Sequence, residues 1–273
     1  MNKSLMTLLA LFIGNTALSA ANAEQQVLSF CIPPQQSPTE LTKRWTPVLQ
    51  YLSDKSGLTL QLKTAKDIPT NQQNVMQGLC DIAFLSPNSY VEANRLSGYR
   101  AFAKEKGGKS VALIVARKEG AISSLSQLGG QTLAFPSNTA FMATILPYKH
   151  LEDEKILVKI QYVVSIDSVY RSVAKGLFVA GGGEGRTFGA LDVEIRDQLV
   201  ILWQSDDLPP FPFSAHPRVS AASLSQLQKT MLAMGQDAQG PGLLKAINIK
   251  ALDKADDADY NVLRKMNLPT EIK

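Results

Sequence analysis

Histidine, cysteine and tryptophan are scarce in this chain, with two of each, and no strong excess of either charge is present. His150 and His216 stand outside any His/Cys/carboxylate motif of metal-ligand spacing, so a metal centre is not expected. No Gly-x-Ser-x-Gly elbow, His-Glu-x-x-His or catalytic-cysteine signature occurs, and no paired carboxylates stand out for acid–base work. An enzyme is therefore not expected, and no cofactor is called for. Twenty-eight basic residues face 24 acidic ones, spread evenly, with no basic tract or aromatic-basic interleaving, which excludes nucleic acid as a partner. Internal repeats, low-complexity tracts and heptad arrays are also missing.

Apolar runs of membrane-spanning length are lacking too. The one long apolar segment, Leu5 to Leu18, is broken by Gly14, Asn15 and Thr16. With Lys3 before it and Ala21-Asn22-Ala23 after it, it reads as a signal peptide, residues 1–23, cleaved after Ala23. The expected product is an exported, monomeric periplasmic protein of about 250 residues, enough for one large or two ordinary domains. Cys31 and Cys80 could pair in that compartment. A bridge needs Cα atoms within about 7 Å. Cys31 falls late in an apparent strand and Cys80 early in another, a pattern that favours two buried thiols.

What is present is an alternation of strands and helices. Val27–Ile32 is an apolar strand. Ser37-Pro38-Thr39-Glu40 forms a capping box ahead of a helix whose apolar face is Leu41, Trp45, Val48, Leu49 and Leu52, stopped by Gly57. A strand at 58–62, a helix near 70–77 and a strand at 81–85 follow. After an apolar strand at 111–116 the pattern restarts: a short helix at 125–128, strands at 131–135 and 158–164, helices at 139–150 and 167–175, and a strand at 199–203. A proline-rich stretch at 208–217 leads to a helical tail. This is an α/β fold of two lobes, each a mostly parallel sheet flanked by helices: 24–116 with 206–273, and 117–205. Two chain crossings, near 112–118 and 200–208, make a hinge around a cleft.

Three segments share one design: Gln35-Gln36-Ser37-Pro38, Leu85-Ser86-Pro87-Asn88-Ser89-Tyr90 and Pro136-Ser137-Asn138-Thr139-Ala140. Each follows an apolar run and opens a helix with hydroxyl side chains. The first N–H groups of a helix have no internal partner and carry partial positive charge, so such ends hold small anions. Serine caps are also ordinary in α/β proteins. Tyr90, one turn past Ser86, reads either as a site residue or as a core aromatic. The glycine run 181–185 lacks the spacing of a phosphate loop and reads as a flexible loop or a place of close backbone approach. Arg186 beside it is either a clamp for an oxyanion, with Thr187 as an alternative cleft residue, or a solvated surface arginine.

Together these residues resemble the phosphate/phosphite/phosphonate-binding family of ABC-transporter substrate-binding proteins. The likeness spans roughly 27–266. It is carried by 32–38, 45–52, Gly78–Pro87 with Tyr90, Ser124–Gly130 and Asp257-Ala258-Asp259-Tyr260. The resemblance implies the type 2 periplasmic binding protein fold, a small anionic ligand held between helix N-termini, and delivery to an ABC permease. Ser37 matches the first helix start and Ser86 with Tyr90 the second. Where the family typically has Ser-Thr-Ser, this chain has Asn138-Thr139-Ala140, with Ser137 as a substitute hydroxyl. Where the family often has His-Asp, it has Ile166-Asp167, and Asp167 reads as an N-cap with a second role toward the cleft. The family's Gly-x-x-Asp strand falls at Gly181–Phe188. The alternative is a sensory protein of the same fold that reports a solute to a membrane receptor or histidine kinase.

Overall fold

A computed structural model of the chain describes residues 27–266 and 268–272. The expected signal peptide and its cleavage site lie outside them. Strand β1 (Val27–Cys31) leads to helix α1 (Pro38–Ser56), β2 (Thr59–Lys63), α2 (Ile68–Met76), β3 (Ile82–Phe84), α3 (Pro87–Ser97) and β4 (Arg100–Glu105). The chain then crosses to β5 (Ala112–Arg117), β6 (Thr132–Phe135), a π-helical turn (Phe141–Ile145) continuous with α4 (Leu146–Asp153), and β7 (Lys159–Tyr162). Next come α5 (Ile166–Ala174), β8 (Ala180–Glu184), α6 (Gly185–Gly189), α7 (Val193–Arg196) and β9 (Leu199–Gln204). It returns through β10 (Pro212–Ala215), α8 (Ala221–Ala233), α9 (Gly240–Ala246), β11 (Leu252–Lys254) and α10 (Asn261–Lys265).

Two sheets result, in the orders β11-β4-β10-β3-β1-β2 and β7-β6-β8-β5-β9. Both are mixed rather than mostly parallel. In the first, β1 pairs in parallel with β2 and β3, while β10 runs antiparallel to both β3 and β4. In the second, β6 is parallel to β7 and β8, and β5 is antiparallel to β8 and β9. Strand β5 lies wholly in the second sheet, so residues 112–116, expected in the first lobe, belong with the second. The crossings are therefore 106–111 and 205–211, tied to each other by reciprocal backbone bonds of 2.9 Å between Ser110 and Leu208.

Helix α1 shows why the first part of the pattern was readable. Ser37 accepts from the Glu40 N–H at 3.3 Å, and Gly57 turns the chain left-handed at φ 68°. Leu41, Trp45, Val48, Leu49 and Leu52 are all buried. Trp45 meets Phe84 with ring centroids 5.3 Å apart, and Phe84 meets Phe213 at 4.6 Å and Phe211 at 5.4 Å. Each such ring fully withdrawn from water stabilises the fold by roughly 1.5–3 kcal/mol. Phe211 and Phe213 come from the proline-rich stretch, which supplies a central strand, and the tail contributes β11 as well as helices. The expectation of a helical tail after 217 is corrected at β11.

The expectation of two free thiols is also overturned: Cys31 and Cys80 form a disulfide with Cα atoms 5.9 Å apart. Cys80 precedes β3 instead of standing in it, so strand register does not set its distance from Cys31. Beside it, Asp81 accepts from the Ser29 N–H (2.8 Å) and hydroxyl (2.6 Å) and from Arg218 Nε (2.5 Å), which fastens β1 to the turn before β3. Burial by itself would raise the Asp81 carboxyl; the bonds from Ser29 and Arg218 outweigh it and hold the group below the usual range.

The bridge closes a separation of 49 residues. Replacing both cysteines by serine is expected to cost about 2–4 kcal/mol of stability. Thiol titration of the unfolded, unreduced protein is expected to find no free thiol. Two free thiols in that assay would contradict the bridge.

Candidate functional site

A chamber of about 40 Å³ lies between the two sheets. From the first sheet come Pro33 and Gln35 after β1, Ile68, Asn71 and Gln72 of α2, Leu85, Ser86 and Ser89 at the β3–α3 junction, and Phe211. From the second come Ala140 to Ala143 at the start of the π-helical turn and Ile166 at the start of α5. The N-termini of α3, of the π-helical turn and of α5 thus converge on one small volume. None of the lining side chains is charged. The N–H groups of Phe141, Met142 and Ala143 belong to a first turn, where intrahelical acceptors are missing.

The approach of the second sheet depends on β8. An added Cβ at Gly182 would stand 2.1 Å from the Ala143 carbonyl oxygen and 2.6 Å from the Phe135 ring; one at Gly183 would stand 2.0 Å from the Tyr170 hydroxyl. The glycine run is a buried strand, not a flexible loop, and its bare backbone lets the π-helical turn and α5 press against the sheet. Its last residue, Glu184, is buried and accepts from the Arg186 N–H (2.9 Å) and the Thr187 N–H (2.8 Å), capping α6.

The sequence candidates are distributed unevenly around this chamber. Ser86 lines it, caps α3 and donates to Ser89 at 2.8 Å. Ser37 is exposed and serves α1 as its cap; the segment's contribution to the chamber is Gln35, two residues earlier. Tyr90 points into the core. Its hydroxyl donates to Asp257 (2.6 Å) and accepts from the Ala101 N–H (3.3 Å), and its ring lies 4.6 Å from Tyr260. Burial, reinforced by the bond to Asp257, pushes its hydroxyl pKa up. The core-aromatic reading of Tyr90 describes this placement.

Ser137 and Thr139 have buried hydroxyl oxygens without a hydrogen-bond partner, and neither lines the chamber. The Thr139 carbonyl accepts from Gln72 at 3.2 Å, and Asn138 donates to Glu271 at 3.2 Å. Asp167 is not the cap of α5: Ser165 is, accepting from the Ser168 N–H. The Asp167 carboxylate pairs with Arg171 at 2.7 Å, while its N–H donates to the Gln35 carbonyl at 3.0 Å, so the residue joins the two sheets through its backbone.

Arg186 sits one layer behind the chamber. It donates to the Gln35 side-chain oxygen, and its guanidinium lies over Phe84 (4.9 Å) and Phe211 (4.8 Å). Burial lowers its pKa, opposed by the Glu184 and Glu105 carboxylates. Arg186 is thus half-buried against the aromatic cluster, and Thr187 is buried against Glu184. Sequence reasoning missed Gln35, Asn71, Gln72 and Ser89. The buried Asn71, in an amide-rich helix following a cap at Asp67, was the one available signal.

The family model described as ABC transporter, phosphonate, periplasmic substrate-binding protein matches residues 30–260. The chain belongs to this family. It is thus a periplasmic substrate-binding component of the phosphonate ABC-transporter type. Among solved structures, a binding protein component of an ABC phosphonate transporter from Pseudomonas aeruginosa is similar at TM-score 0.79 and 19% identity, covering 88% of this chain and 85% of that one. PhnD1 from Prochlorococcus marinus, solved with methylphosphonate, is similar at TM-score 0.76 and 17% identity, with 88% and 96% covered. XAC2383 from Xanthomonas citri, solved with ATP, follows at TM-score 0.67 and 17% identity, with 88% and 94% covered. At these identities the structures establish a common fold, that of two-sheet periplasmic binding proteins.

In this phosphonate-family protein, Gly182→Ala is expected to displace the Ala140–Ala143 turn. Overpacking of this kind costs about 1–3 kcal/mol, and ligand affinity of the folded protein should fall at least about tenfold, the equivalent of 1.4 kcal/mol. Calorimetric unfolding and ligand titration of the variant check this; unchanged values in both would show that the bare strand does not position the site.

Proposed function

We propose that the protein captures a small phosphonate-type oxyanion in this chamber and presents it, lobes closed, to an ABC permease. The observation that carries the reading is the convergence of three helix starts, from both sheets, on a chamber whose lining bears no charged side chain. An anion there is compensated by oriented N–H groups and by hydroxyl and amide donors from Ser86, Ser89, Asn71 and Gln72. The remaining wall is apolar: Pro33, Ile68, Leu85, Met142, Ile166 and Phe211. A polar half and an apolar half suit a tetrahedral head with a small carbon substituent. At about 10–15 Å³ per water-sized group, the chamber's size fits such a ligand and is too small for a sugar or peptide.

The lobes, in this reading, are the two sheets with their helices, and the crossings at 106–111 and 205–211 are the hinge. Polar contacts spanning the cleft favour the closed form: Gln72 to the Thr139 carbonyl at 3.2 Å, the Asp167 N–H to Gln35 at 3.0 Å, Asn248 to the Arg186 carbonyl at 2.8 Å, and the Ile272 N–H to Asn138 at 3.0 Å. Arg186 acts as a positioning residue through Gln35. Cleavage after Ala23 and action as a monomer complete the proposal.

Thermal-shift screening of the mature protein against methylphosphonate, phosphite, phosphate and sulfate tests it. A ligand at a hundred times its dissociation constant adds about 2.7 kcal/mol of stability. A phosphorus oxyanion is expected to give the largest shift. No shift with any of the phosphorus compounds would refute the ligand class.

A further inference from the structure

On the hinge side of Arg186 lies a second cavity, of about 290 Å³, much roomier than the ligand chamber. Lys109 of one crossing, Phe211 of the other, Phe84, Lys250, Glu105 and Arg186 contribute to its wall. Its charge is unbalanced. Lys109 is paired with Asp207. Among the described residues, neither Arg186 nor Lys250 has a carboxylate within ion-pair distance. Glu105, the one acidic group in the wall, accepts from the Lys250 N–H at 3.1 Å and acts on Arg186 from beyond ion-pair distance, so that Arg186 and Lys250 together exceed it by one charge. Arg186 spends one donor on Gln35, and its Nε is buried with no partner. That Nε is sealed from the cavity, whereas Nη1 is neither sealed nor bonded, and a guanidinium's terminal nitrogens are shaped to receive a carboxylate. The buried rings of Phe84 and Phe211 lie 4.9 and 4.8 Å from that guanidinium and hold it at the cavity wall.

We infer that this hinge cavity is a second ligand site, distinct from the oxyanion chamber, which takes a small organic carboxylate through Arg186 and Lys250. The cavity is walled by both crossings, so an occupant touches the hinge from both strands. Its volume accommodates a short carbon chain, which the smaller chamber does not. The inference does not depend on which oxyanion the chamber holds.

Isothermal titration of the mature protein with succinate tests it, run alone and again with methylphosphonate present at saturation. One succinate per chain is expected in both titrations. In Lys250→Glu the succinate affinity is expected to fall at least tenfold, while methylphosphonate affinity stays within twofold of the parent. Three results would each overturn the site: no succinate binding at millimolar concentration, displacement of succinate by methylphosphonate, or equal succinate affinity in Lys250→Glu. Should methylphosphonate itself fail to bind, the succinate titration and the Lys250→Glu comparison still decide the matter.

Discussion

The packing of two helix starts against the bare backbone of β8 is the constraint on which this molecule's site depends. β8 lies between β6 and β5, where side chains would normally fill the space above the sheet. With glycine at 182, the Ala143 carbonyl and the Phe135 ring occupy that space on one face; with glycine at 181 and 183, Val169, Val173 and the Tyr170 hydroxyl occupy it on the other. The π-helical turn and α5 are drawn down onto the sheet, and their N-termini emerge at the cleft. The same strand ends in Glu184, whose carboxylate caps α6 and so aims Arg186 away from the second sheet and into the aromatic cluster of the first.

The first sheet answers with a rigid wall. Phe84 and Phe213 pack on Trp45, Phe211 packs on Phe84, and the Cys31–Cys80 bridge with the Asp81–Arg218 pair holds the entry to β3. Since Ser86 follows β3 directly, fixing that strand fixes the start of α3. The cleft is therefore bounded on each side by a strand that cannot shift without disturbing a buried cluster. What joins the sides is apolar as well as polar: Phe141, Met142, Ile145 and Leu146 share one buried cluster with the first sheet, beside the few hydrogen bonds across the cleft.

Local chemistry explains which parts were legible in the sequence. Helix α1 declared itself because cap, N1 proline, apolar face and terminal glycine all agree. Strands β8 and β10 were hidden for opposite reasons: one has no side chains to alternate, the other opens on prolines that mimic a loop. Their stability comes from tertiary neighbours, which single-sequence periodicity does not register. The same limit applies to the site. Ser86 could be found because a cap is a local motif, whereas Gln35, Gln72 and Ser89 acquire their roles from elements distant in sequence. Tyr90 shows the converse: correct spacing from a cap did not aim it at the chamber, because its hydroxyl is taken by Asp257, 167 residues away. Asp167 reached the inter-sheet contact through its backbone, which a side-chain reading does not anticipate.

In the proposed reading the anion is held from both sides, by main-chain N–H groups of the Phe141–Ala143 turn and by the hydroxyl and amide side chains of Ser86, Ser89, Asn71 and Gln72, the Ser89 N–H itself being taken by the Ser86 cap. Amide-resolved NMR during titration with methylphosphonate measures this directly. The account predicts that Ser89 of α3 and Met142 and Ala143 of the π-helical turn shift together, with one dissociation constant and the largest amplitudes in the spectrum. Shifts confined to one sheet, or centred on Arg186 and Lys250 with the helix starts unmoved, would contradict it.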